Sequence, residues 1–477
     1  MKRWDLLRRI LCAAAALAVY GCDGSSDDDS AGAQRPLLTG FNAVPDMAAI
    51  SFLREEELWS ALDYGTATGF RSVDAGQYDI NFDSLLPGDE TTACGGDLDK
   101  DDVKDPEECT RLTSVSINVL AGHEYLVALL GHFADIRAQV YDKTVHEFDT
   151  TDADGDPEDK NTEVQFFHWS DALGAVDVYV EPPGTNLSAV QVKATLSAGD
   201  EYHGLINAGS YVLSLTVLGD PNAPVFTSEN FTLAERTRVA FALLEGTDDG
   251  TSPVRVSRFR DQGGDLLDRR VKTELRVTHV ARDAGNVDIF AQENYTAPIV
   301  SALAFRQTSP YQVIPSTELA NLELDITPAG NPGVLLGREQ MALASGGRST
   351  FFLVQPNSVS ANVDGLLVQD RFRRFAPYAA LRLLNSAGLS LDFYVIPHGN
   401  NVYTSTPTET LFTGSSGTVH LLDPGSYDVI LARAGTDTYV FGPLNVQLSG
   451  GGVYTAVGVA TSDATRSDLV LLDDFVD

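Results

Sequence analysis

VQFFHWSDALGAVDVYV, residues 164–180, carries the reading of this chain, because it recurs. The second copy is LRVTHVARDAGNVDIFA, residues 275–291. Aligning the two sets His168 on His279, Val176 on Val287 and Asp177 on Asp288. Fainter copies are LLTGFNAVPDMAAISFL at 37–53 and LRLLNSAGLSLDFYV at 381–395, where Asn42 and Asn385 take the place of the histidine. In the last copy the linker is two residues shorter. Four copies of one unit turn the fold question into a single-domain question asked four times.

Working outward, each opening stretch is followed by a similar train. A glycine turn precedes a tyrosine at Gly76–Tyr78, Gly209–Tyr211 and Gly425–Tyr427; residues 314–324 stand there in the third unit. Alternation follows, with Tyr427, Val429 and Leu431 on one face and Asp428 and Ile430 on the other. Period two marks a half-buried strand, and the tyrosine is placed to bond nearby backbone as in the tyrosine corner of Ig-like sandwiches. Two apolar strands around a small turn come next, at 116–131, 230–245, 340–354 and 445–460, then a short strand ending in Asp. The reading is all-β: four tandem immunoglobulin-like β-sandwich domains over 37–148, 163–262, 273–372 and 378–477. They are expected as beads along a rod. Residues 54–64, acidic early with Trp59 and Leu62 later, read as a helical turn or two.

The N-terminus reads as processing signal. Lys2, Arg3, Arg8 and Arg9 precede an apolar run from 10 to 20, too short for a membrane span. Val19-Tyr20-Gly21-Cys22 resembles a bacterial lipobox, so residues 1–21 are expected to be a lipoprotein signal peptide and Cys22 the lipidated residue. Residues 22–36 then form a flexible Gly/Ser/Asp tether. This places the protein in the bacterial cell envelope, lipid-anchored, with the outer membrane favoured over the inner. Of four cysteines, Cys12 leaves with the signal and Cys22 takes lipid. Cys94 and Cys109 form an even pair in an oxidising compartment and are expected to bond. The closed loop contributes about 3 kcal/mol in the chain-entropy model.

The train resembles a bacterial envelope family known as a domain of unknown function (DUF 4397), with an opening motif similar to His-Ala-Ser-Pro-Asp, a gap, then Val-Asp-Val-Tyr-Val. His168 and residues 176–180 carry the resemblance best; His279, Asp283, Val287 and Asp288, then Pro45 and Asp46, then residues 391–395 follow. The resemblance implies Ig-like sandwiches in exported, often lipid-anchored proteins, and implies no reaction.

Asp and Glu number 67 against 33 Lys and Arg, a net charge of −34. Such a surface repels nucleic acid and anionic headgroups. No GxSxG, HExxH, CxxC, Walker or GxGxxG signature is present in the sequence, so the chain is read as no enzyme. His168 and His279 alternate with Asn42 and Asn385, which fits a side chain bonding backbone at a strand-to-loop bend better than a catalytic base or metal ligand. Asp177, Asp288 and Asp392 lie on outward parity and read as a solvated face. Between Cys94 and Cys109, Asp97, Asp99, Asp101, Asp105 and Glu108 fall at positions 1, 3, 5, 9 and 12, with the Val103 carbonyl at 7. That is the oxygen spacing of a calcium loop, and Ca2+ is the one cofactor it suggests. Asp102 stands where glycine makes the sharp turn, and a solvated acidic loop reads much the same. The expected partners are the membrane, through the lipid, and an envelope or surface protein. A glycan is the alternative, with Trp59, Trp169, Tyr295 and Tyr403 as the aromatic residues to inspect.

Overall fold

A computed structural model describes residues 34–89, 94, 109–145, 148, 160–247, 252–355, 362–370, 373–463 and 465–474. Among the described residues eight β-sheets hold 35 strands, and the helical content is four single 3-10 turns. The sheets fall in pairs along the chain. Leu37–Asn42 and Ile50–Arg54 open the two sheets of the first sandwich. Asn161–His168 and Val176–Glu181 do so in the second, Thr273–His279 and Val287–Ala291 in the third, Ala379–Ser386 and Leu391–Pro397 in the fourth.

Alternation builds each core. Tyr427, Val429 and Leu431 point inward from Gly425–Arg433 and meet Leu381, Leu383 and Phe393. Separate apolar cores of the same kind surround Phe52 and Phe82, Phe166 and Phe241, and Ile289 and Phe351. Burying each such side chain contributes about 1.5–3 kcal/mol. The chemistry of the turns agrees: Gly122, Gly346 and Gly451 all have φ between +70° and +78°, a conformation other residues resist.

In the first, third and fourth sandwiches the first strand runs parallel to the strand second from the end; in the second it runs parallel to Arg238–Glu245, which two further strands follow. Leu37 pairs with Glu124, Glu163 with Arg238, Glu274 with Arg348, and Ala380 with Val453. The next strand returns antiparallel on that partner, and in the second sandwich Gly264–Leu266 adds an edge strand beside it.

Two expectations are corrected. Residues 54–64 are not helical. Glu55 turns the chain at φ +54°, and Glu57–Leu62 runs back antiparallel along Ile50–Arg54. The polar residues that suggested a helical first turn are the hairpin turn.

Nor are the sandwiches beads on a rod. Strands such as Ala379–Ser386 and Val453–Ala460 are buried at every position, so both faces of their sheet are covered. The covering surface is another sandwich. Phe41, Leu126 and Leu130 of the first pack on Phe167, Trp169 and Phe259 of the second. Val280, Phe352 and Val368 of the third pack on Leu384, Val457 and Val470 of the fourth. A sheet with two apolar faces cannot stand alone in water, and pairing is how this chain covers the second face.

Candidate functional site

The recurring histidine sits fully buried at the end of the first strand. His168 Nε2 meets the Gly174 carbonyl at 2.6 Å, and His279 Nε2 meets that of Gly285 at 2.7 Å. The Ala281 N–H donates to His279 Nδ1 at 3.3 Å. Asparagine reproduces this with its amide. Asn42 accepts from Val44 N–H and donates to the Leu62 carbonyl, at 3.0 and 3.1 Å. Asn385 accepts from Ala387 N–H at 2.9 Å and donates to the Leu389 and Leu411 carbonyls at 2.8 and 2.9 Å. Both side chains place an acceptor and a donor where the chain bends, so either serves. Burial pushes the pKa of both histidines down, which keeps the imidazoles neutral.

Asp177, Asp288 and Asp392 correct the sequence reading. Their parity is outward, yet all three are buried. One carboxylate oxygen accepts from the neighbouring strand: Thr195 Oγ1 at 2.6 Å, Ala302 N at 2.7 Å, Thr410 Oγ1 at 2.5 Å. The other accepts the N–H of a glycine in the facing turn: Gly219 at 2.7 Å, Gly330 at 2.8 Å, Gly435 at 2.7 Å. Each of these glycines has φ between +71° and +75°. The turn folds over the carboxylate and removes it from water, and the two bonds offset that cost. Parity alone could not show the turn; the Gly following Leu218, Ala329 and Ala434 was the available signal. Ser51 stands at this position in the first sandwich.

The tyrosines close the motif. Tyr78, Tyr211 and Tyr427 donate to the carbonyls of Asp74, Asn207 and Asp423 at 3.0, 2.8 and 2.9 Å. Leu322 occupies the corresponding strand of the third sandwich.

Cys94 and Cys109 are disulfide-bonded. Beside Cys109, the Asp89 carboxylate accepts from Leu86 N–H at 2.8 Å and from Thr110 N–H at 3.3 Å, tying the base of the insertion. The calcium-spaced residues Asp97, Asp99, Asp101, Val103, Asp105 and Glu108 lie outside the described residues, as do Cys22, the signal and most of the tether.

Among the described residues, Glu293, Glu323 and Asp325 bring carboxylate oxygens within 4.8 Å of one another. Arg338 already closes this group, reaching Asp325 Oδ1 at 2.6 Å, Glu293 at 2.8 Å and Glu323 at 3.4 Å. Asp325 is fully buried and also accepts from Tyr295 Oη. A guanidinium fills the position a hard cation would take.

Of the four aromatics singled out for a glycan, Trp169 is buried in the seam between the first two sandwiches, its Nε1–H donating to Tyr141 Oη at 2.7 Å. Trp59 is half-buried with Arg54 and Arg71 guanidiniums 5.0 and 5.3 Å from its ring. Tyr295 is engaged by Asp325. Tyr403 is free, 74% exposed, with its ring 5.5 Å from that of Tyr439.

Charge gathers at the seams, a feature that sequence reading missed. In the fourth sandwich Arg382 pairs in register with Thr455, and in the third Arg276 pairs with Thr350. Each arginine crosses to the partner's acid. Arg276 Nη2 reaches Asp474 at 2.7 Å, and Arg382 Nη2 lies 3.6 Å from Asp370. Thr350 and Thr455 donate to Asp370 and Asp474 at 2.7 and 2.8 Å. At the first seam Arg260 meets Glu124 at 2.6 Å, while Lys143 bonds Glu163 and lies 3.3 Å from Glu124.

Comparison with known proteins agrees with the family resemblance over the N-terminal third of the chain. Residues 37–179 match the family model described as "Domain of unknown function (DUF4397)". No curated protein matches the chain. The solved structure of "The Bacillus anthracis TIE protein" is similar at 11% identity over 86% of this chain, with a TM-score of 0.15. The chain spans 65% of that structure's length, and a superposition so loose carries no argument.

Proposed function

We propose that this chain, which matches the DUF4397 model over residues 37–179, is a non-enzymatic, lipid-anchored protein of the bacterial cell envelope. It displays tandem sandwiches for adhesion, scaffolding or partner binding. One observation carries the reading. The polar residues that recur from copy to copy are spent on the chain itself: His168 and His279 on loop carbonyls, Asp177, Asp288 and Asp392 on turn amides, the corner tyrosines on backbone. Repetition has kept a scaffold, and function falls to what differs between copies. The differences lie in loops, in the disulfide-closed insertion and in exposed edges.

The test begins with the anchor. Cys22→Ser should release the protein from membranes into the soluble fraction and abolish labelling by a fatty-acid probe; unchanged membrane association ends the lipoprotein reading. Cross-linking on intact cells should then recover a protein partner, and its repeated failure counts against adhesion. Calcium belongs to the same proposal: chelator should lower the melting temperature, and Asp97→Ala with Asp99→Ala should abolish that shift. A melt of the parent protein indifferent to chelator removes the ion. Binding of a glycan is the second reading, favoured by Tyr403. Tyr403→Ala should then abolish retention on a glycan array; a blank array for the parent protein discards it.

A further inference from the structure

Between the third and fourth sandwiches the chain passes residues 373–378, and these turn back onto the first sandwich. Arg373 is the centre of the contact. Its Nε–H donates to the Pro45 carbonyl at 2.8 Å, Nη2 donates to the Met47 carbonyl, and Nη1 reaches Asp63 at 2.5 Å. The guanidinium carbon lies 5.1 Å from the Tyr64 ring. The cradle therefore offers two carbonyls, a carboxylate and an aromatic face. A planar, five-donor guanidinium satisfies all of these at once, and an ammonium cannot.

Two further bonds extend the contact along the strap. Ala376 N–H donates to the Asp46 carbonyl at 2.8 Å, and Tyr378 Oη donates to the Leu85 carbonyl at 2.7 Å. Burial pushes the Tyr378 pKa up to about 12, so the hydroxyl keeps its proton across the ordinary pH range. The cradle is built from the second sandwich as well. Tyr64 Oη donates to the Glu245 carbonyl at 2.6 Å, and the Arg255 guanidinium lies 5.3 Å from the same ring. The strap is equally tied to the fourth sandwich, where Gly451 N–H donates to the Phe375 and Tyr378 carbonyls at 3.0 and 2.9 Å.

The geometry points to a guanidinium-binding site on the first sandwich, filled in cis by Arg373, that clasps the second pair of sandwiches to the first. The chain already joins the pairs covalently through residues 267–272; the clasp is a second, breakable connection. With it closed, the four sandwiches behave as one body. With it open, they are two bodies on a single linker.

The test uses the full mature chain. Arg373→Ala should raise the radius of gyration in small-angle scattering and split one cooperative melt into two transitions. Arg373→Lys should give most of the same change, since charge without the planar fork does not fit, and Tyr378→Phe a smaller one. If Arg373→Ala does not accumulate as folded protein, Arg373→Lys and Tyr378→Phe carry the test. An unchanged radius of gyration and a single melt in the folded variants overturn the clasp, as does a second transition that appears without any expansion.

Discussion

Where the first and second sandwiches meet, rings interleave. Phe41 lies 4.7 Å from Trp169 and 5.0 Å from Phe259, and Phe167 lies 4.9 Å from both Tyr141 and Trp169. Charge sits beside this cluster, on Glu124, Lys143, Glu163 and Arg260. Where the third and fourth meet, the apolar contact is largely valine and leucine, and four charges cross the seam between the paired sheets. The same faces of the same sheets are used. The residue three places before the motif His or Asn makes the difference. It is Arg276 and Arg382 in the second pair, so each guanidinium must find an acid across the seam. It is Thr39 and Gln165 in the first, which leaves room for rings. One architecture thus admits two ways of covering a second apolar face, and they should fail differently.

Truncating the first seam should cost most. Trp169→Ala removes a buried ring and its bond to Tyr141, and should destabilise by about 4 kcal/mol, read from the denaturant midpoint. A loss under about 1 kcal/mol would mean the rings are decoration and the seams are equivalent. Next comes Asp370→Ala, which leaves Arg276 and Arg382 short of one acid inside the second seam and should cost about 3 kcal/mol. Replacing Arg276, Arg382, Asp370 and Asp474 together with Met and Leu should be close to neutral, because desolvation of the charges is removed with their attraction. If the quadruple variant is as damaged as the single one, the crossing is not an ion-pair network. Lys143→Met, at the first seam, should cost only about 1 kcal/mol. Glu124 keeps Arg260 and Glu163 keeps Arg238 there, at 2.6 and 3.4 Å.

The smallest effect concerns both pairs equally. His168 and His279 have depressed pKa values through burial, so below the ordinary histidine value of about 6.5 the unfolded chain binds protons that the folded chain refuses. Stability is full above that pH and declines as the pH falls beneath it. His168→Asn with His279→Asn, copying the residue used in the other two sandwiches, should flatten the decline, as measured by chemical unfolding at pH 7 and 5. A slope that survives the double substitution assigns the acid sensitivity elsewhere.

The repeat made much of this legible in advance. Tyr427, Val429 and Leu431 alternate as a strand must, and the swap of His168 for Asn42 announces a structural bond. The seams had a signal too. Val239 to Leu244 and Phe351 to Val354 are unbroken apolar runs, and an unbroken run means two covered faces. What covers the second face is a long-range fact, and nothing local to those strands says that Phe41 will meet Trp169. The aspartates failed for a related reason: parity gives direction but not what folds over it.

The parallel pairing of first and penultimate strands has one more consequence. In the first and third sandwiches the last strand returns beside the penultimate one, so the chain arrives and departs at the same pole, one strand apart. Leu37 and Lys143 both flank Glu124 there, and Glu274 and Asp370 both flank Arg348. In the second, Gly264–Leu266 carries the chain back to the far pole, level with His168. The first and third sandwiches are therefore held by the chain at one end, whereas the second is threaded from end to end. Tension along the chain draws the first and last strands of the third sandwich away from the strand between them at one pole, whereas in the second it runs the length of the sheet.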